Sequence, residues 1–203
     1  MHNSTTRFWK KKSLSQYVHR EDGSLTLLTL FSLGVLAALM HQHLRMGLNI
    51  PGHHGLEWMT LLLFGRMLSR DHWASVIIAS GAATAYIVQA TYMPLTESFK
   101  PVAVYMLNGV CLDLLFRYTP KNLPALIKGP ILGGATFALK PVLLIPIAIL
   151  FELNFGSFGK NGYLYPVLTH FVFGSIGAIC GITLANLMCS NKTKRKADSS
   201  DSE

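Results

Sequence analysis

Charge is the scarcest thing in this sequence. Asp, Glu, Lys and Arg make up 14 % of its 203 residues, where a soluble domain carries about a quarter. Acidic groups are the rarest, ten against eighteen Lys and Arg. Cysteine is sparser still: Cys111, Cys180 and Cys189, with no C-x-x-C spacing, suggest neither a disulfide framework nor a structural zinc site. They read as small buried hydrophobes. Also missing are a nucleophile elbow, a phosphate loop, H-E-x-x-H and a dinucleotide fingerprint. Without them the chain is expected to be neither an enzyme nor an ATPase, and no cofactor is implied.

The charges that remain crowd both ends of the chain and leave long uncharged windows between them. Half the residues are hydrophobic, and the apolar runs reach membrane length. The fold expected is an all-α membrane protein, a six-transmembrane-helix bundle in the cell (inner) membrane. Its parts are a basic N-terminal segment (1–23), a transmembrane domain (24–189) and a disordered tail (190–203). The net charge of +8 does not argue for nucleic acid, because basic residues beside membrane segments are an orientation signal.

The first span runs from about Ser24 to Leu44 and carries Gly34 and Ala38, small residues on one helical face. The second, Leu56 to Leu68, is short; it crosses only if Glu57 lies at one interface and Arg66 snorkels to the other. The third, Trp73 to Tyr92, is rich in small residues. A loop through Pro101 follows, then a fourth span, Val102 to Tyr118, interrupted by Asn108 and Asp113. These two polar groups must face protein or a cavity, since lipid offers them no partner. The fifth segment, Leu123 to Leu153, holds Pro130, Pro141 and Pro146 and is expected to kink or break. Lys140 sits near its middle. The sixth, Pro166 to Met188, has His170 as its one titratable group.

Six spans put both termini on the same side. Fourteen of the eighteen Lys and Arg then fall on that side, three on the other, and Lys140 within the membrane. This bias places both termini in the cytoplasm. It also turns outward the stretch Asn49-Ile50-Pro51-Gly52-His53-His54-Gly55-Leu56-Glu57-Trp58. Pro51-Gly52 fixes a turn there, and two imidazoles, a carboxylate and an indole follow.

A small-molecule pocket is expected at that end, lined by His53, His54, Glu57, Trp58, Asn108, Lys140, Tyr163 and His170. The rival expectation is an interfacial aromatic belt with histidines at headgroup level. An ammonium at membrane depth calls for a partner, either Asn108, Asp113 or an anionic ligand. Alternatively His41, His43, His53 and His54 bind a transition metal, although their spacing fits no strict motif.

The basic N-terminus, the six spans, the small-x-x-x-small face at Gly34 and Ala38, and the irregular loop after the first span form a recognisable set. With Pro51-Gly52-His53-His54-Gly55-Leu56-Glu57-Trp58 and Gly65-Arg66, they resemble the substrate-binding S component of energy-coupling factor transporters. The resemblance covers roughly residues 24–189 and is one of architecture more than of motif. It implies a loop gating an outward pocket for a vitamin or a metal. It also implies separate ATPases and a membrane coupling subunit, contacted at Gly34 and Ala38, where the family has A-x-x-x-A and this chain has Gly first. The family's nickel and cobalt branch uses an N-terminal Met-His; Met1-His2 matches the letters, but a basic segment of about twenty residues separates it from the first span, and that role is not carried over. The competing expectations are a structural or accessory subunit of a larger membrane complex, and a His-rich membrane enzyme or metal-handling protein.

Overall fold

The computed structural model describes residues 23–43, 50–91, 95–120, 122–150, 162 and 164–200. They form six helices: α1 (Gly23–His43), α2 (Gly55–Leu68), α3 (Ala74–Ala90), α4 (Leu95–Tyr118), α5 (Ala125–Leu150) and α6 (Leu164–Ser200). No strand occurs among the described residues. Three helical stretches, Gly23–His43, Ala125–Pro146 and Leu164–Ser190, are long and apolar enough to cross a membrane, and Ala74–Ala90 is a shorter apolar helix. Large apolar side chains face outward along them, among them Leu28, Val88, Leu126, Ile131, Leu168 and Leu187. In water such a surface would aggregate; against acyl chains it is in its own solvent. The described residues are all-helical, and their long apolar helices are those of a membrane protein.

Helix α2 is the axis of the packing. At 14 residues it is about 21 Å long, short of the roughly 30 Å hydrocarbon layer. Yet Trp58, Met59, Leu62 and Leu63 are all buried. It packs on α6 and touches α1, α3 and α5, while α1 packs on α3, α3 on α4, and α5 on α6. Close approach of α2 and α6 depends on Gly177 and Gly181: a Cβ there would lie 2.6 Å from the Leu56 carbonyl and 2.3 Å from that of Thr60. Thr60 Oγ1 uses the proximity, donating to Leu56 O at 2.6 Å and reaching Gly177 O at 3.1 Å. Small residues at helix contacts do this throughout membrane bundles, where packing replaces the hydrophobic effect.

Several expectations need correction. Gly34 and Ala38 are buried against α3: a Cβ on Gly34 would lie 1.8 Å from Ile78 O. The face reserved for a coupling subunit is therefore filled by the chain's own helix. Helix α4 starts at Leu95, so Pro101 stands inside it and not in a loop. Helix α5 runs unbroken through Pro130, Pro141 and Pro146. Each proline lacks the N–H that would bond the carbonyl four residues back, yet the helix continues; Ser175 Oγ also ties α6 to α5, donating to Pro130 O at 2.9 Å. Helix α6 continues to Ser200, through the tail expected to be disordered. Its Lys, Arg and Ala residues are good helix formers, and extending an existing helix needs no new nucleus.

Arg66 does not snorkel. It turns inward, Nε lying 3.0 Å from Asp113 Oδ1 in a charge contact without hydrogen-bond alignment. Its NH1 donates to Asp71 O at 3.1 Å. Asp113 Oδ2 also accepts the Val76 N–H at 3.0 Å, capping the first turn of α3 from α4. Asp113 is thus paired with Arg66 and not with Lys140. Nearby, Lys128 Nζ donates to Phe116 O at 3.1 Å and Thr119 O at 3.2 Å, closing the C-terminal carbonyls of α4. These groups occupy one pole of the bundle, and His41, His53, His54 and His170 occupy the other.

Candidate functional site at the histidine pole

The end of α1, the turn before α2, the later part of α3 and the earlier part of α4 converge here. His41 on α1 meets His54 edge-on, with ring centroids 4.1 Å apart. His54 in turn lies 3.8 Å from the His53 ring. Tyr86 and Tyr105 each stand 6.3 Å from His41 and 5.3 Å from one another. Trp58 packs on Tyr105 at 4.4 Å. The result is a polar cluster walled by three aromatic rings.

The turn is built to deliver the imidazoles. Gly52 has φ +87°, a conformation that favours glycine, and a Cβ there would lie 2.8 Å from His170 Nδ1. The turn therefore rests on the His170 ring. His170 is stacked on Phe137 at 5.0 Å, and its Nδ1 donates to Pro166 O at 2.7 Å. His53 Nδ1 likewise donates to Ile50 O at 2.7 Å. A carbonyl can only accept, so both rings donate from Nδ1 and in their neutral forms keep the lone pair on Nε2. For His53, that Nε2 is buried without a hydrogen-bond partner.

Glu57 is the unusual member. It is 6 % exposed, and neither carboxylate oxygen has a hydrogen-bond partner. A first-turn glutamate commonly reaches back to the N-cap amide; this one does not. His41, His54 and Glu57 each offer a ligand atom, and the three atoms lie within 4.8 Å of one another. From α4, Asn108 ties the floor together. With its amide oriented to satisfy both neighbours, it accepts from Trp58 Nε1 at 3.3 Å and donates to Thr136 O at 3.1 Å.

Of the expected pocket residues, His53, His54, Glu57, Trp58 and Asn108 are gathered on one side of the turn and His170 beneath it. Lys140 is half-buried on α5 and close enough to His170 to interact electrostatically. Its neighbour is an imidazole, not Asn108 or Asp113. Tyr163 lies outside the described residues. The metal quartet read from sequence is not assembled as written: His43 is exposed at the end of α1, and Glu57 takes its place beside His41 and His54. Tyr86 and Tyr105 were not expected in the site. The available signal was a tyrosine within each uncharged run, whose hydroxyl needs a polar neighbour at membrane depth.

No protein-family model, curated protein or solved structure matches this chain.

Proposed function

We propose that this chain is the membrane-embedded substrate-binding component of an importer. It captures a small ligand, vitamin-like or a metal ion, at the histidine pole. In this reading six spans leave both termini in the cytoplasm and turn that pole outward, as the fourteen-to-three distribution of Lys and Arg favours. The chain carries no nucleotide motif, so a separate coupling subunit and ATPases would supply the energy.

The observation that carries this reading is Glu57. A carboxylate buried without hydrogen-bond partners costs several kcal/mol, on the order of the penalty for one desolvated ion, and the nearby His53 offsets only part of it. A ligand that supplies the missing partners offsets the rest. Lys140 and His170 give the same pole a donor-bearing flank. A structural-subunit reading draws support from the opposite pole, where Arg66 and Asp113 satisfy each other without a ligand, but it leaves Glu57 unexplained.

Uptake in intact cells tests the proposal. In the native cells, which would hold the coupling subunit and ATPases, extra wild type should raise retention of at least one member of a radiolabelled panel of vitamins and divalent metals well above vector controls. Glu57→Gln, expressed to the same level in the membrane, should bring retention back to the control. Equal retention by wild type, variant and vector across the panel would remove the importer reading.

A further inference from the structure

We infer that the ligand held at the histidine pole is a divalent first-row transition-metal ion, bound by His41, His54 and Glu57. This rests on the reading of that pole as a ligand site and names the chemistry of what it takes.

The donor set is selective. Two imidazoles and one carboxylate suit Zn²⁺, Co²⁺ or Ni²⁺. They do not suit Mg²⁺ or Ca²⁺, which take oxygen ligands, or Cu⁺, which prefers thiolate and thioether. Geometry agrees. Ligand atoms around a tetrahedral ion stand roughly 3.3–3.5 Å apart, given metal–ligand bonds of about 2.0–2.2 Å. The donors here lie within 4.8 Å of one another, so rotations of the side chains by about an ångström close the set.

Burial of Glu57 is the independent sign. Both of its oxygens lack hydrogen-bond partners, which is expensive for a carboxylate facing only protein and appropriate for one facing a cation. Three protein ligands leave a fourth position for water or another ligand, as in open catalytic sites and unlike the closed four-ligand sites that serve folding. That openness fits an ion that must be released.

The surroundings supply what a metal site needs beyond its ligands. His53, whose tautomer is fixed by Ile50 O, lies beside the His54 ring and near enough to Glu57 to interact with it. With Nδ1 engaged, its neutral Nε2 can only accept, so it can brace a ligand imidazole by taking that ring's N–H, as outer groups do in metal sites. Tyr86, Tyr105 and Trp58 wall the cluster with rings whose faces tolerate a cation. The ligands come from α1, from the turn before α2 and from α2 itself, so a bound ion would tie the turn to α1. Loading and release would then be coupled to the position of the Pro51–His54 turn.

The test uses the full chain, purified in detergent with a tag free of histidine and stripped with chelator. CoCl₂ titrated into it should give visible d–d absorption of a tetrahedral or five-coordinate site, saturating at one ion per chain. ZnCl₂ should then displace the cobalt. Glu57→Gln, His54→Gln and His41→Gln should each weaken cobalt binding by tenfold or more, about the effect of removing a supporting group. His72→Gln, in an exposed turn at the opposite pole, should bind as the wild type does. Melting temperatures of the unliganded variants show that each is folded; should His41→Gln fail, the isosteric Glu57→Gln carries the test. Cobalt that binds Glu57→Gln as tightly as wild type, or does not bind wild type at all, overturns the inference. If metals fail but a vitamin of the panel binds and requires Glu57, the ligand-site reading survives and the metal falls. If nothing binds, both fall.

Discussion

Gly34→Leu should abolish folded protein. Any Cβ at residue 34 overlaps the backbone oxygen of Ile78, 1.8 Å away, and approaches Ala82 N at 2.8 Å. Backbone inside a packed helix cannot step aside as a side-chain tip can, so α1 and α3 would have to separate by more than an ångström. The contact is reciprocal: a Cβ on Gly81 of α3 would lie 2.1 Å from Phe31 O on α1. Separation would strip contacts along the whole α1–α3 face, including Ala38 and Ala82. The expected cost is roughly 3 kcal/mol or more, at the upper end for overpacking. Size-exclusion of detergent-solubilised protein should show the monodisperse peak lost. Leu36→Met, on an outward face of the same helix, should change stability by about 0.5 kcal/mol at most. A Gly34→Leu protein with normal yield and melting temperature would mean that α1 and α3 do not cross here, and the coupling-subunit expectation for that face would return.

Asp113→Ala should destabilise the bundle by about 3–5 kcal/mol, the cost of leaving one member of a buried pair alone. Asp113 is 2 % exposed and serves two helices at once: Oδ1 faces Arg66 on α2, and Oδ2 caps Val76 on α3. Its removal strands a guanidinium that is itself largely buried over Phe116, 5.4 Å from the ring centroid. The double variant Arg66→Met/Asp113→Leu should recover most of the loss, because it removes both charges and leaves only uncharged groups around Val76, Ser75 and Asp71 without their partner. Thermal unfolding of the three proteins measures this. If the single and double variants were equally unstable, the pair would not be coupled.

The helices were legible because lipid demands long uncharged runs, and the described boundaries of α2 and α3 fall within about two residues of those runs. Polarity at depth was legible for the same reason: Asn108 and Asp113 had to face inward, and they do. What could not be read was pairing. Nothing in one dimension says that Arg66 meets Asp113 and leaves Lys140 beside His170. Small residues were equally ambiguous, since Gly34 and Ala38 make the same pattern whether the approaching helix belongs to this chain or to another. Proline misled at Pro101, which stands inside α4, and α5 does not break at its three prolines, as membrane helices tolerate proline better than helices in water do. At the histidine pole the turn and its imidazoles stood out from sequence. Glu57 as a companion of His41 and His54 did not, because a first-turn glutamate already has an ordinary explanation in the helix dipole.

The measurement closest to the central claim is thermal unfolding of purified wild type and Glu57→Gln across the panel of vitamins and divalent metals. At least one ligand should raise the wild-type melting temperature, since binding at about a hundredfold excess over Kd stabilises by about 2.7 kcal/mol. The same ligand should move Glu57→Gln far less. Without ligand, Glu57→Gln should be as stable as wild type or more so, because the amide removes an unpaired buried charge. If no ligand moves the wild type, and Glu57→Gln melts lower than wild type on its own, then Glu57 holds the fold together and the histidine pole is not a ligand site.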